Sequence, residues 1–298
     1  MIRILSDSAC DLNKEYTQAH NIEIVPLYIT FDGETYQKDF TEINRDLFYQ
    51  KMVEEGCFPK TSLPSVDDYL QLFESAYAAG DELICICITN TLSGSFNSAM
   101  TAYQMIKEDH PDASISVFNS WQNTVGQALI VREFVRMRDD GRSYQYMCDH
   151  MEGLRSSSQI IFTISTLDYL KKGGRIGKMI TSVGDKLNLQ PLLVLKKGEL
   201  SITSISRSRK KAKAAVITNT RKHFEGKNVD NYFFTTGFGY DPEEAREFRM
   251  QVENELGITC VESISTDNFP ASIGAVTACH TGPHSLGISF VQKYETLV

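Results

Sequence analysis

The stretch Leu83–Met100 reads LICICITNTLSGSFNSAM and decides the fold of the first half of the chain. Its apolar start predicts a buried strand over Leu83–Ile88, and the pattern over Gly94–Lys107 predicts a helix. Between them, Thr89–Ser95 is rich in hydroxyl groups and contains one glycine. A strand that enters a helix through a short polar corner is typical of a parallel α/β sheet, where ligands collect beyond the carboxyl ends of the strands.

Two interpretations of this corner are open. Ser93 can cap the helix by accepting hydrogen bonds from backbone amides, and this is favoured for the corner taken alone because capping serines are common. In the second interpretation, the Ser93 hydroxyl faces a ligand while Gly94 lets the backbone come close to it. A helix N-terminus carries roughly half a positive charge, so that ligand would be a carboxylate or a phosphate.

The rest of the first half alternates strand patterns with helical patterns. Strands are predicted over Ile2–Ser6, Ile22–Phe31 and Ser114–Phe118, and helices over Asn44–Glu55, Ser65–Ala78 and Thr124–Arg138. Asp11 is a candidate cap for a further helix towards His20, and Ser65 with Asp68 predicts a capping box. This βαβα rhythm indicates a doubly wound parallel sheet.

The rhythm changes after Gly141. The predicted elements are then helices over Ser143–Arg155, Arg207–Phe224 and Pro242–Leu256, and strands over Ile160–Ser165, Gln190–Leu195, Ser201–Ser206, Tyr232–Thr236, Thr259–Ile264 and Ser285–Val291. A turn at KKGEL indicates antiparallel pairing. We therefore predict an α/β protein with two domains, a parallel-sheet domain over 1–158 and a mixed-sheet α+β domain over 159–298, with the C-terminal strand a candidate to return to the first domain.

Composition excludes several classes of protein. The 298 residues carry a formal net charge of −8, which argues against a nucleic-acid-binding protein because such proteins need a basic face. No apolar run approaches the roughly 18 residues that span a bilayer, so we expect no stable membrane insertion. The seven cysteines are scattered, and the N-terminus lacks a signal-peptide pattern. We expect reduced thiols and a cytoplasmic location.

Two polar segments are uninformative when each is taken alone. Pro64 biases Leu63 towards extended geometry, so Thr61 and Ser62 are expected on an ordered loop before a helix, and they matter only if they face Ser93. The segment LDYLKKGGRIGK over 167–178 lacks the glycine spacing of a phosphate-binding loop. Its simplest interpretation is a helix that ends at the glycine pair, followed by an exposed guanidinium at Arg175.

The segment GAVTACHTGPH over 274–284 contains His280 and His284. A glycine and a proline between them exclude one helix carrying both histidines, which removes the spacing of a zinc pair. No other segment has metal-ligand spacing, so we expect no metal and no cofactor. The glycines and the proline predict a fixed loop around His280, which is where sites are often found, although a lone histidine is more often structural.

Two further patterns have ordinary explanations. The basic segment that begins at Arg207 and continues through Lys213 is more simply a solvated helix face than a docking surface for an acidic partner. No G-x-S-x-G sequence is present, which argues against a serine hydrolase.

Five segments in a fixed order carry longer motifs: D-S-x-x-D-L at Asp7–Leu12, K-T-S-x-P-S at Lys60–Ser65, S-G-[ST]-[YF]-x-S-A at Ser93–Ala99, L-x-Y-L-x-K-G-G-R-I at Leu167–Ile176 and G-x-V-x-x-x-H-x-G-P at Gly274–Pro283. With these motifs, the chain resembles the DegV family of bacterial fatty-acid-binding proteins along essentially its whole length. It departs from the family pattern at Leu63, Ser95, Phe96 and His284.

The resemblance implies a two-domain α/β fold with a long-chain fatty acid between the domains. It implies that Thr61 and Ser93 hydrogen-bond the carboxylate and that His280 lies near this head group, with Ser62 and the Gly94 amide as additions. It also implies a carrier without catalytic residues, whose bound acid is phosphorylated by a partner, a fatty acid kinase. Arg175 and Arg207 would face that kinase.

The physical chemistry of such a ligand agrees with these residue types. Burying roughly fourteen methylenes at about 0.8 kcal/mol each gains on the order of 11 kcal/mol before ordering costs, so the tail supplies affinity. The buried carboxylate needs hydrogen bonds, which hydroxyls and a helix N-terminus provide. Two other functions stay open at this point: a small-molecule kinase subunit or hydrolase that uses His280, and a lipid-responsive regulatory interaction protein.

Overall fold

A parallel sheet and a mixed sheet organise the computed structural model, which describes residues 1–176, 189–261 and 271–297. The strands in these ranges are β1 (Ile2–Asp7), β2 (Ile22–Val25), β3 (Tyr28–Thr30), β4 (Gln37–Lys38), β5 (Lys60–Ser62), β6 (Glu82–Cys87), β7 (Ile115–Asn119), β8 (Gln159–Thr163), β9 (Gln190–Lys196), β10 (Glu199–Ser206), β11 (Tyr232–Phe238), β12 (Ala271–Ser272) and β13 (Leu286–Gln292). The helices are α1 (Lys14–Ala19), α2 (Arg45–Glu55), α3 (Val66–Ala78), α4 (Ser95–Asp109), α5 (Thr124–Asp139), α6 (Tyr144–Ser157), α7 (Asp168–Lys172), α8 (Arg209–His223), α9 (Pro242–Leu256) and α10 (Ala275–Thr281).

The first sheet has the strand order β2-β1-β6-β7, and all its strands are parallel. The second has the order β10-β9-β8-β13-β11-β12, with antiparallel pairing except between β11 and β12. A small antiparallel sheet, β4-β3-β5, accompanies them. The predicted fold class, a parallel α/β part followed by a mixed-sheet part, is confirmed. The C-terminal strand β13 lies inside the second sheet, and the domain division at residue 158 stays a prediction.

Helix α5 joins the two sheets. Twelve of its sixteen residues are buried, which is the pattern of a helix covered on nearly all sides. It contacts β1 and β6 of the first sheet and β8, β11 and β13 of the second. One hydrophobic cluster accordingly contains Ile4 and Ile86 from the first sheet, Phe134 from α5 and Val291 from the second. The first residues of α5 therefore lie between the sheets.

Two local expectations are wrong, and a third lies mostly outside the described residues. The single strand predicted over Ile22–Phe31 is divided into β2 and β3, which join different sheets; Pro26 lies between them and has no N–H for a ladder. Asn13, whose side chain accepts from the Tyr16 amide, caps α1, whereas Asp11 has a left-handed φ of 57°. Of the strand expected at Thr259–Ile264, Cys260 makes one isolated bridge, and residues 262–270 lie outside the described ranges.

The predicted capping box at the start of α3 is confirmed. The Ser65 hydroxyl accepts from the Asp68 amide at 3.1 Å, and the Asp68 carboxylate accepts from the Ser65 amide at 2.8 Å. Two amide groups that the helix cannot satisfy internally are therefore paired. The cap fixes where α3 begins, four residues after β5 ends.

We predict that Ser65→Ala lowers the free energy of unfolding by about 1 kcal/mol, because the cap hydroxyl is lost. Ser65→Thr keeps a cap oxygen and should lose clearly less. Urea unfolding followed by circular dichroism measures both variants. Equal stability of the alanine variant and the parent would show that the box does not stabilise the fold.

Candidate functional site

Three distant segments meet around one cavity. Thr61 from β5, Ser93 from the corner before α4 and His280 from α10 line it, together with Ser62 and Arg175. The cavity volume is about 170 Å³. The sequence could not show that these segments meet. The fold brings them together because α10 contacts both β5 and residues 8–10, which follow the carboxyl end of β1.

Thr61 and His280 are joined directly. The Thr61 Oγ1 lies 3.0 Å from the His280 Nε2. Thr61 is held by the pairing of β5 with β3, in which it stands opposite Ile29. The expected loop at this position is therefore a strand. His280 lies in the last turn of α10. The expected loop there is a short helix that ends at Thr281 and is followed by Gly282, whose φ is 78°.

The His280 ring is largely enclosed and uncharged at neutral pH. Burial and the nearby Arg175 guanidinium lower its pKa to about 4 from the usual 6.5. Its Nδ1 has no hydrogen-bond partner among the described residues. Gly173 explains the close packing on that side, because a Cβ at this position would lie 2.2 Å from Nδ1. The glycine pair after α7 thus makes room for the ring.

Ser93 is not the N-cap residue of α4, and its role towards a ligand stays a prediction. Its Oγ accepts from the Ser95 amide at 3.2 Å, and its side chain also lines the cavity. Gly94 is the N-cap residue of α4 and is absent from the cavity lining. A Cβ there would lie 3.4 Å from Leu63 Cδ2, so Gly94 backs onto the cavity wall rather than facing the cavity.

A buried carboxylate behind the corner holds it in place. Asp7, at the end of β1, accepts from the Ser95 hydroxyl at 2.7 Å, the Ile88 amide at 2.9 Å and the Gln127 side chain at 2.9 Å. The Tyr69 hydroxyl lies 2.6 Å from Ser95 Oγ and donates to it, because the Ser95 proton is committed to Asp7. Burial raises the pKa of Asp7, and its hydrogen bonds oppose that rise.

The remaining wall of the cavity is mostly apolar. It includes Leu27, Leu63, Ile88, Leu92, Val125, Ile160, Phe162, Leu170, Leu195, Leu200, Ile273 and Val276. One polar end and a long apolar wall are the arrangement that an amphipathic ligand requires.

The tip of the β9–β10 hairpin closes one side of this space. Gly198, with a φ of 79°, donates its amide to the Trp121 carbonyl at 3.1 Å, and its own carbonyl accepts from the Thr91 hydroxyl. Leu195 and Leu200 flank the tip and line the cavity. The second sheet is therefore fastened to the loops that follow β6 and β7.

Arg175 and Arg207 have different surroundings. Arg175 is half-buried rather than fully exposed as expected, because its Nε donates to the Leu92 carbonyl at 3.1 Å and draws the side chain onto the cavity rim. Arg207 is exposed just before α8 and does not line the cavity. Their partner-facing role stays a prediction.

The basic segment after Arg207 is partly neutralised within the chain. Arg209 and Lys213 pair with Glu244 at 2.7 and 3.2 Å. His284, the departure from the family pattern, is exposed and is absent from the cavity lining.

Sequence reasoning missed five further polar residues that line the cavity: Asn123, Thr124, Thr277, Thr281 and Ser285. Two features of the sequence could have indicated three of these residues. Asn123 and Thr124 follow the carboxyl end of a predicted parallel strand, where ligands collect. Thr277 precedes His280 by three residues, a spacing that shares one face of a helix.

Two classes of feature are missing from the described residues. They contain no group of three or more histidine, cysteine or acidic side chains arranged to hold a metal ion. In the same ranges, no helix has the length and apolar character needed to cross a membrane.

Comparisons with known proteins give one family. The model of the DegV family, described as "Uncharacterised protein, DegV family", matches residues 1–293. A DegV domain-containing protein from Clostridium acetobutylicum is 29% identical over 289 residues, which is 97% of each chain.

Solved structures of relatives agree with the described fold. A protein from Eubacterium ventriosum, described as a fat acid (stearic acid)-binding protein, is 45% identical with a TM-score of 0.94, and each chain is covered completely. A DegV family protein from Thermus thermophilus, described in terms of fatty acid binding, is 28% identical with a TM-score of 0.84 over 98% of this chain and 99% of that one.

The low pKa of His280 predicts a pH-dependent stability. The His280 imidazole binds a proton less readily in the folded state than in the unfolded state. The contribution of His280 to the free energy of unfolding is therefore fully present above about pH 6.5 and is lost as the pH falls towards 4. We expect the stability difference between the parent and His280→Gln to shrink over this range. Urea unfolding at several pH values measures it.

The stability contributions of titratable groups other than His280 cancel in the difference between the parent and His280→Gln. Asp11, whose pKa is raised to about 7 mainly by burial, contributes with the opposite sign, since its stabilising effect is lost as the pH rises from 3.8. It is present in both proteins, so it drops out of the difference. A difference that stays constant from pH 6.5 to 4 would contradict the neutral, buried state of His280.

Proposed function

The chain belongs to the DegV family, and on this premise we propose that it binds a long-chain fatty acid in the cavity and presents the carboxylate to a fatty acid kinase. The observation that carries the proposal is the hydrogen bond between Thr61 and His280 in a cavity whose wall is mostly apolar. Ser93 and Ser62 at the same end supply further hydroxyl groups.

The neutral state of His280 suits a carboxylate ligand in a specific way. When Nε2–H donates to Thr61 Oγ1, the Thr61 hydroxyl proton is free to point at a carboxylate oxygen. The imidazole thus orients a neutral donor, and the acid is held without a salt bridge to His280. Such a head group is retained by hydrogen bonds, each worth about 1 kcal/mol, rather than fixed by a buried ion pair.

The tail accounts for most of the affinity in this proposal. The apolar wall takes up methylene groups at about 0.8 kcal/mol each, and association and ordering costs remove part of that gain. The relatives from Eubacterium ventriosum and Thermus thermophilus, described as binding fatty acids, support the same ligand class for this chain.

A carrier role fits the side chains better than catalysis by His280. A base with a pKa near 4 is poorly matched to proton abstraction at neutral pH. In the proposed reaction, ATP bound to the kinase is the phosphoryl donor. A carboxylate oxygen forms a bond to the γ-phosphorus as the bond to the bridging oxygen of ADP breaks, giving an acyl phosphate and ADP. Arg175 on the rim and exposed Arg207 are the proposed kinase-facing cations.

The ligand is tested by denaturing extraction of the purified protein and mass spectrometry of the released lipid. We expect a long-chain fatty acid. Thr61→Val keeps the shape of the side chain and should weaken octadecanoic acid binding about tenfold, because a buried hydrogen bond is lost. Thr101→Val, exposed on α4, is the matched control. Parental affinity in Thr61→Val would refute the head-group assignment.

Presentation to a kinase needs a separate test. With octadecanoic acid, ATP and a bacterial fatty acid kinase, we expect acyl phosphate only when both proteins are present. Arg207→Ala should lower the rate several-fold and leave lipid affinity unchanged. Arg221→Ala, on the last turn of α8 and paired with Glu255, is the control. Lipid binding without any acyl phosphate would favour a lipid-responsive regulator instead.

A further inference from the structure

The cavity has a second polar region, formed where α5 begins. Asn123 is the N-cap residue of α5 but makes no cap hydrogen bond through its side chain, and Asn123, Thr124 and Val125 all line the cavity. The first amides of a helix have no intrahelical acceptor, and the terminus of this sixteen-residue helix carries a partial positive charge. Thr124 has a φ of 41°, a conformation that β-branched residues rarely adopt.

An independent observation on α10 points to the same region. Thr277 lines the cavity and is 5% exposed, yet its hydroxyl has no hydrogen-bond partner among the described residues. A buried hydroxyl without a partner costs about 1–3 kcal/mol. A purely hydrocarbon chain beside Thr277 would leave its hydroxyl without a hydrogen-bond partner.

The side-chain carboxyl of Asp11 lies against the first residues of both α10 and α5. Gly274, the N-cap residue of α10, lies against Asp11, since a Cβ at Gly274 would be 2.1 Å from Asp11 Oδ1. The Thr124 hydroxyl also lies beside the Asp11 carboxyl, although no bond of normal hydrogen-bond geometry joins them. Thr277 stands between this contact and His280, about 4.5 Å of helix rise from His280.

The charge of the region selects the kind of group that fits it. The α5 terminus favours an oxygen that accepts hydrogen bonds. A second anion is disfavoured because the buried Asp11 carboxyl is close to Thr124 and is 2% exposed. A neutral hydroxyl satisfies both sides, since it accepts from α5 or Thr277 and has a proton to donate.

We propose that the cavity takes fatty acids that carry a hydroxyl group on the acyl chain, with that hydroxyl held between Thr277 and the first residues of α5. The inference rests on the proposed function and narrows its ligand class. Thr61 and His280 bind the carboxylate. The second polar region hydrogen-bonds the hydroxyl group and so selects its position along the acyl chain.

The test is a binding series at neutral pH. Octadecanoic acid is compared with octadecanoic acids that carry one hydroxyl at successive chain positions, using the parent protein, Thr277→Val and Thr277→Ser. We expect one hydroxyl position to bind about tenfold more tightly than the unsubstituted acid in the parent. Thr277→Val should abolish this preference, and Thr277→Ser should keep it.

Each outcome decides the inference. Parental binding of octadecanoic acid with no preferred hydroxyl position would overturn it and leave the proposed function intact. A preference that survives in Thr277→Val would overturn the role of Thr277 and with it the inference. If no acid of the series binds to the parent, the proposed function fails together with the inference.

Discussion

The cavity depends on the buried carboxylate of Asp7. Asp7 ends the first strand of the parallel sheet. It accepts hydrogen bonds from the Ile88 amide just after β6, the Ser95 hydroxyl at the start of α4 and the Gln127 side chain of α5. A buried carboxylate needs such donors, because without them its desolvation would be costly. The same bonds fix the direction in which the chain leaves β6. Ser93 faces the cavity because this corner has one geometry.

Around that fixed corner, the site uses neutral groups where charged ones might be expected. His280 is enclosed beside Gly173, and burial keeps it uncharged, so its hydrogen bond to Thr61 joins two neutral groups. Arg175 is turned to a backbone carbonyl at the rim. Neutral donors hold an anion by geometry and cost less to bury than an unpaired cation. This balance suits a ligand that is bound firmly through its apolar part.

Much of the fold was predictable from local patterns. The capping box at Ser65 and the strand and helix on either side of Thr89–Ser95 follow from spacing alone. The errors have physical causes: Pro26 separates two strands of different sheets, and a helix carries His280 although glycine and proline follow closely. The contact between Thr61 and His280 spans 219 residues. No local pattern encodes such a distance, and only the family motifs suggested that the two residues share a site.

The hairpin tip at Gly198 has a consequence for the timing of ligand exchange. Its amide and carbonyl are bonded to Trp121 and Thr91, so this wall moves aside only when both contacts are broken. The residence time of a ligand that leaves by this route then depends on how fast the hairpin tip opens, as well as on how strongly the cavity binds the ligand. Two proteins with equal equilibrium affinity for a ligand would release it at different rates if the hydrogen bonds at this hairpin tip differed in strength.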